Sequence, residues 1–227
     1  MPLNKIMVVV DPTAEQQPAF ERALESARLT GSKLHLYACL DGESGCTSAE
    51  EAGAKLQPLL DDLAARAGDA EVTTETELAD EWRVAAVSAA ARCGASMVFK
   101  NSFDHSSVQR ELRSTSDWAL LRMAPCPVLL VKNFHDWKHR RVLAAINPAS
   151  PDAAHIKLNH QIIGTARGFA EAYGSDAHFV TAFSDLNNPP AAEEIAESCG
   201  TPVEHVHLVH GKAADAIRDT AQELDVD

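Results

Sequence analysis

Along the first 132 residues, short and continuously apolar runs alternate with segments of helical period, and that alternation leaves few folds open. Lys5 to Val10 (Lys-Ile-Met-Val-Val-Val) carries no polar alternation, so it reads as a strand buried on both faces that ends at Asp11-Pro12. Phe20, Ala23, Leu24 and Ala27 then recur at helical spacing up to Gly31, a residue suited to a helix C-terminus. Leu34 to Leu40 predicts a second strand. Ser48 to Arg66 predicts a helix with Leu56, Leu59, Leu60 and Leu63 on its apolar side, kinked or broken at Pro58. Val72 to Leu78 alternates polar and apolar residues, as a half-exposed strand near a sheet edge does. Trp82 to Cys93 predicts a helix closed by Gly94, Met97 to Phe99 a strand, and Lys100 to Ser107 a loop. A helical segment and a last strand, Val128 to Val131, follow.

Five strands separated by helices with short turns favour a parallel sheet with right-handed crossovers. The expected fold is therefore α/β: a Rossmann-like open parallel five-stranded sheet with helices on both faces, spanning residues 1–132. Residues 133–140, which contain the basic run Lys138-His139-Arg140-Arg141, read as a solvated linker.

The pattern then begins again. Arg141-Val142-Leu143-Ala144-Ala145-Ile146-Asn147-Pro148 echoes Lys5 to Pro12, with Asn147 in the place of Asp11 at an offset of 147 − 11 = 136. Gly174-Ser175-Asp176-Ala177-His178 matches Gly31-Ser32-Lys33-Leu34-His35 at 174 − 31 = 143, so about seven extra residues lie between the two markers. Strands at Ala177 to Phe183 and Val203 to Val209 and helices at Ala191 to Ser198 and Ala213 to Leu224 complete the expected second copy over 141–227. Asp225-Val226-Asp227 corresponds to Gly94-Ala95-Ser96, so the second copy is expected to lack its fourth and fifth strands.

Chemistry is constrained mostly by exclusion. A formal charge of −13 disfavours nucleic-acid binding, which needs clustered Lys and Arg. No apolar run approaches the ~20 residues of a membrane span, and the N-terminus has no signal-type apolar core, so a cytoplasmic protein is expected. The five cysteines form no C-x-x-C pair and read as reduced thiols. No Ser-His-Asp elbow, H-E-x-x-H or Walker loop occurs, and no enzyme is predicted. His205 and His207 would alternate on one strand face, but further ligands are not evident in sequence. Hydrogen-bonded structural histidines, with no metal, are the expectation. His35 and His178 hold equivalent strand positions, which suggests a shared role.

The opening Val8-Val9-Val10-Asp11, the segment Gly211-Lys212-Ala213-Ala214-Asp215-Ala216-Ile217 and the closing Leu121-Arg122-Met123-Ala124-Pro125-Cys126-Pro127-Val128-Leu129-Leu130-Val131 resemble the universal stress protein family. The repeat, with Ser114-Thr115-Ser116-Asp117-Trp118, is most similar to the E-type tandem members. Nucleotide-binding relatives carry two glycines three apart after the fourth strand and a later glycine followed by a hydroxyl residue. Those glycines fall here on Asn101, Asp104 and Ser114, and the hydroxyl on Thr115. A phosphate cradle needs glycines for close backbone approach, so ATP binding in the first domain is disfavoured and no cofactor is expected.

The resemblance implies weak ligand-contacting roles for Asp11, Cys39, Thr115 and Asn147. Asp11 could equally cap a local turn through Pro12. The resemblance also implies pairing of fifth strands, hence homodimerisation or other self-association. The function expected is non-enzymatic stress response through small-molecule or partner binding. The alternatives are an ATP-binding switch whose phosphate loop lies in the second copy beyond Asp227, and a small-molecule carrier.

Overall fold

In the computed structural model, residues 3–102, 117–132 and 141–226 are described. The linker expected at 133–140, most of the loop after the fourth strand, and Thr115 lie outside them. The chain divides into two compact units, Pro2–His135 and Asp136–Asp227.

The first unit runs β1 (Lys5–Val10), α1 (Pro18–Thr30), β2 (Lys33–Leu40), a 3-10 turn (Gly42–Ser44), α2 (Ala49–Arg66), β3 (Val72–Leu78), α3 (Trp82–Cys93), β4 (Met97–Asn101), α4, of which 117–123 are described, and β5 (Val128–Val131). Its sheet has the order β3-β2-β1-β4-β5, with every pair parallel. β1 is central, which explains its unbroken apolar run: both faces are covered. Met7 and Val9 join Tyr37, Val98, Leu120 and the alanines of α3 in one cluster. Ile6, Val8 and Val10 alternate with them and point to the opposite face, where α1 and α2 bury Phe20, Leu24, Leu56 and Leu60. β3 lies at the edge, as its alternation requires.

Two expectations are corrected. The helix predicted from Ser48 to Arg66 is not broken at Pro58; α2 continues through it. Pro58 and Ala54, whose carbonyl loses its partner, are both exposed, while Ala52, Leu56, Leu60 and Leu63 hold the other side of the helix in the core. Burial on one face outweighs one lost hydrogen bond that water can replace. Ser48 secures the start of α2, its hydroxyl accepting from the Glu51 N–H, a cap worth about 1 kcal/mol. The second correction concerns β4, which extends through Asn101, so Lys100 and Asn101 are strand residues and not part of the loop.

The second unit runs β6 (Val142–Ala145), α5 (Ala153–Tyr173), β7 (Ala177–Phe183), α6 (Ala192–Cys199), a 3-10 turn (Val203–His205), β8 (Val206–His210) and α7 (Ala213–Leu224). Its three strands are parallel in the order β6-β7-β8, and Phe179 is the centre of their core with Ile146, Ala166, Ala170 and Ile195. Helix length accounts for the seven extra residues seen in sequence: α5 has 21 residues against 13 in α1, eight more, and β6 ends one position earlier in the repeat than β1. Both helices end on a glycine in the left-handed region, Gly31 at φ 70° and Gly174 at φ 62°, so the extension lies at the N-terminal end of α5.

Candidate functional site

The carboxyl ends of β1, β2 and β4 border an open cavity of about 400 Å³, where ligands of open α/β sheets collect. Val9, Val10, Leu40 and Cys39 form its apolar floor and Trp82 one wall; Asp11, Asp41 and Glu43 bring carboxylates to it. Asp11 makes the local turn expected of it. It lines the cavity, and its Oδ1 accepts from the Thr13 backbone N–H at 2.9 Å and from the Thr13 hydroxyl at 2.6 Å, an Asx turn. Cys39 is half-buried at the floor, and burial pushes its thiol up, away from nucleophilic chemistry.

Lys100 is the only cation among the described residues lining this cavity, and its charge is already engaged. Its Nζ donates to the Asn101 carbonyl at 2.8 Å, pairs with Asp117 Oδ1 at 2.9 Å and sits 5.5 Å from the centroid of the Trp82 ring. Asp117 also accepts from the Ser102 hydroxyl at 3.2 Å.

Asn101 determines what the start of α1 can offer. This side chain is 2 % exposed, and its Oδ1 accepts from the Ala19 N–H at 2.7 Å while its Nδ2 donates to Gln17 Oε1 at 3.1 Å. Gln17 in turn holds the strand end: its Oε1 accepts from the Asp11 N–H and its Nε2 donates to the Asp11 carbonyl at 2.6 Å. A free helix N-terminus presents N–H groups to an anion; here a neutral carboxamide already takes one of them.

Sequence reasoning passed over Gln17, although a signal was available. In the second unit Asn159 makes the same clamp on Asn147, its Oδ1 accepting from the Asn147 N–H at 3.2 Å and its Nδ2 donating to the Asn147 carbonyl at 2.8 Å. The offset, 159 − 17 = 142, sits beside the 143 of the glycine marker. Asn147 is exposed, and Asp11 and Asn147 thus occupy matching strand ends of separate units. Trp82, the first residue of α3, both packs on the core cluster and lines the cavity.

His205 and His207 face the same way, as expected, but they do not share a strand. His205 ends the 3-10 turn, and only His207 lies in β8. Both meet His178 of β7: its ring centroid is 4.3 Å from that of His205, and its Nδ1 is 3.1 Å from His207 Nε2. No group of three His, Cys, Asp or Glu side chains among the described residues is arranged to hold a metal ion. Nor is any helix among them long and apolar enough to cross a membrane.

Comparison with known proteins places this geometry. The sequence profile described as the Universal stress protein family matches residues 2–132, more than half of the chain. Universal stress protein E of Photorhabdus laumondii is 22% identical over 242 residues, covering 99% of this chain and 75% of its own length. The Universal stress protein E homolog of Haemophilus influenzae is 24% identical over 155 residues, covering 58% of this chain, which spans only 50% of that relative. A crystal structure of a functionally unknown protein from Pseudomonas aeruginosa PAO1 superposes with a TM-score of 0.78 at 26% identity, over 99% of this chain and 79% of that one. With its parallel β3-β2-β1-β4-β5 sheet and a profile match over residues 2–132, the chain belongs to the universal stress protein family.

Proposed function

We propose that this chain is a non-enzymatic stress-response protein that works by binding, and that its first unit takes a small molecule in the β1–β2–β4 cavity without a phosphate anchor. The observation that carries this reading is Asn101: it stands where the family's phosphate loop has its first glycine, and its buried carboxamide is committed to the Ala19 N–H and Gln17 instead of leaving backbone open to a phosphate. Two further features support it: Lys100 is spent on Asp117, and Asp11, Asp41 and Glu43 make the cavity a repulsive place for a triphosphate. Asp11 and Cys39 line the proposed ligand site, and Asn147 marks the matching strand end of the second unit. Thr115, the hydroxyl position of the family's phosphate loop, lies outside the described residues.

Titrating ATP into the 227-residue chain should give no saturable heat. A micromolar dissociation constant with shifted amide resonances at Asp11 and Asn101 would overturn this reading and make the first unit a nucleotide site.

In the same reading the second unit is a further universal stress protein domain over 141–227, and the protein works in the cytoplasm as a homodimer or larger self-associated species. Among the described residues β5 is an edge strand, and an edge's outward N–H and C=O groups favour addition of a strand from another copy. Light scattering should give a mass above the 24.4 kDa of one chain. A mass of one chain at all concentrations tested would refute self-association.

A further inference from the structure

The two units place a buried histidine at the same point of their second strands and surround it in opposite ways. His35, 6 % exposed, has Thr73 Oγ1 2.8 Å from Nδ1 and the Glu75 carboxylate 3.1 Å from Nε2. His178, 9 % exposed, is parallel-paired in the same sense, but the places of Thr73 and Glu75 are held by His205 and His207. A proton on His35 gains a carboxylate partner. One on His178 gains two neighbouring imidazoles, only one of whose lone pairs it can use, and a second proton in the cluster meets the first at close range.

We propose that the His178–His205–His207 cluster makes the second unit a proton-gated element: mild acidification loosens β8 and α7 from β7, while the first unit keeps its structure. The charged groups facing the cluster are few. Asp176, just before β7, and Glu223 on α7 favour protonation; Arg141, just before β6, opposes it. Burial is the largest cause holding His178 and His207 below the ordinary histidine range, and for His178 the two neighbouring histidines add to it. At His35 burial also leads, but the Glu75 hydrogen bond and charge work against it.

The sign follows from linkage. Folded His178 and His207 bind protons less readily than they do in the unfolded chain, so the stability they contribute is complete above the unfolded histidine pKa of ~6.5 and is lost as pH falls below it. Each unit of depression multiplies the open population up to ~10-fold. The opening releases one helix and one edge strand, the least costly part of a three-stranded unit to detach.

Amide hydrogen exchange of the full chain between pH 7.5 and 5.5, corrected for the intrinsic rate, tests this. Protection at Val206–Val209 should fall ~10-fold or more in the wild type, and by clearly less at Met7–Val9 of the first unit. His178→Gln should flatten the pH dependence of β8, and His35→Gln should leave it unchanged. Equal protection of β8 at both pH values, or an undiminished fall in His178→Gln, would overturn the proposal. Should His178→Gln fail to fold at pH 7.5, imidazole resonances of the wild type decide: His178 must stay neutral in the folded form down to pH 6, and a ring that titrates at ~6.5 or above refutes the gate.

Discussion

Phe179→Ala is expected to abolish the second unit's cooperative structure at 25 °C and to leave the first unit folded. Phe179 is fully buried at the centre of β7, between β6 and β8, and packs among Ala144, Ile146, Ala166 and Ile195. Truncating a buried Phe to Ala costs about 3–5 kcal/mol in lost transfer energy and cavity. The total stability of a small domain is about 5–15 kcal/mol, and a unit with one three-stranded sheet belongs at the low end. Amide exchange resolves the two units in one experiment. Protection at Val180–Ala182 should collapse while that at Val8–Val10 stays within ~2-fold of wild type, which is under about 0.5 kcal/mol. Retained protection in β7 would show that the second unit's core does not depend on this ring.

Asn101→Ala should destabilise the first unit by about 2–3 kcal/mol, because it strands a buried donor at Ala19 and removes one of the two donors to Gln17 Oε1. Urea unfolding should show the midpoint falling at unchanged slope. Asn101→Asp keeps an acceptor for Ala19 and adds a charge the helix N-terminus favours, but it loses the donor to Gln17, so its loss should be smaller. A change under about 0.5 kcal/mol in Asn101→Ala would mean that water replaces the carboxamide and that the α1 N-terminus is open to an anion after all. This connects the stability experiment to the nucleotide titration: both depend on the same two hydrogen bonds.

Much of the architecture was legible because burial leaves a periodic trace. β1 is apolar from Ile6 to Val10 because helices cover both of its faces, and β3 alternates because it is an edge. The family motifs and the repeat of Asp11-Pro12 as Asn147-Pro148 were visible for the same reason that they matter: they sit at strand ends, where chain direction is fixed. The absence of glycine at Asn101 was equally readable. Pro58 misled because its local rule ignores the tertiary burial that holds α2 together around it.

The sequence by itself determined the parallel α/β sheet of the first unit, the restart at Val142 and the loss of glycine at Asn101. Each of these is a local property, set by periodicity or by a single residue's conformational range. Only the tertiary structure decided what those residues do. Gln17 and Asn101 meet across 84 positions to occupy the α1 N-terminus, Lys100 is neutralised by Asp117 from a separate helix, and His178 closes on His205 and His207 from a neighbouring strand. Side-chain hydrogen bonds, ion pairs and ring contacts act over about 3–6 Å whatever the distance along the chain, so the register between strands, which no window of sequence contains, selects which polar groups become partners.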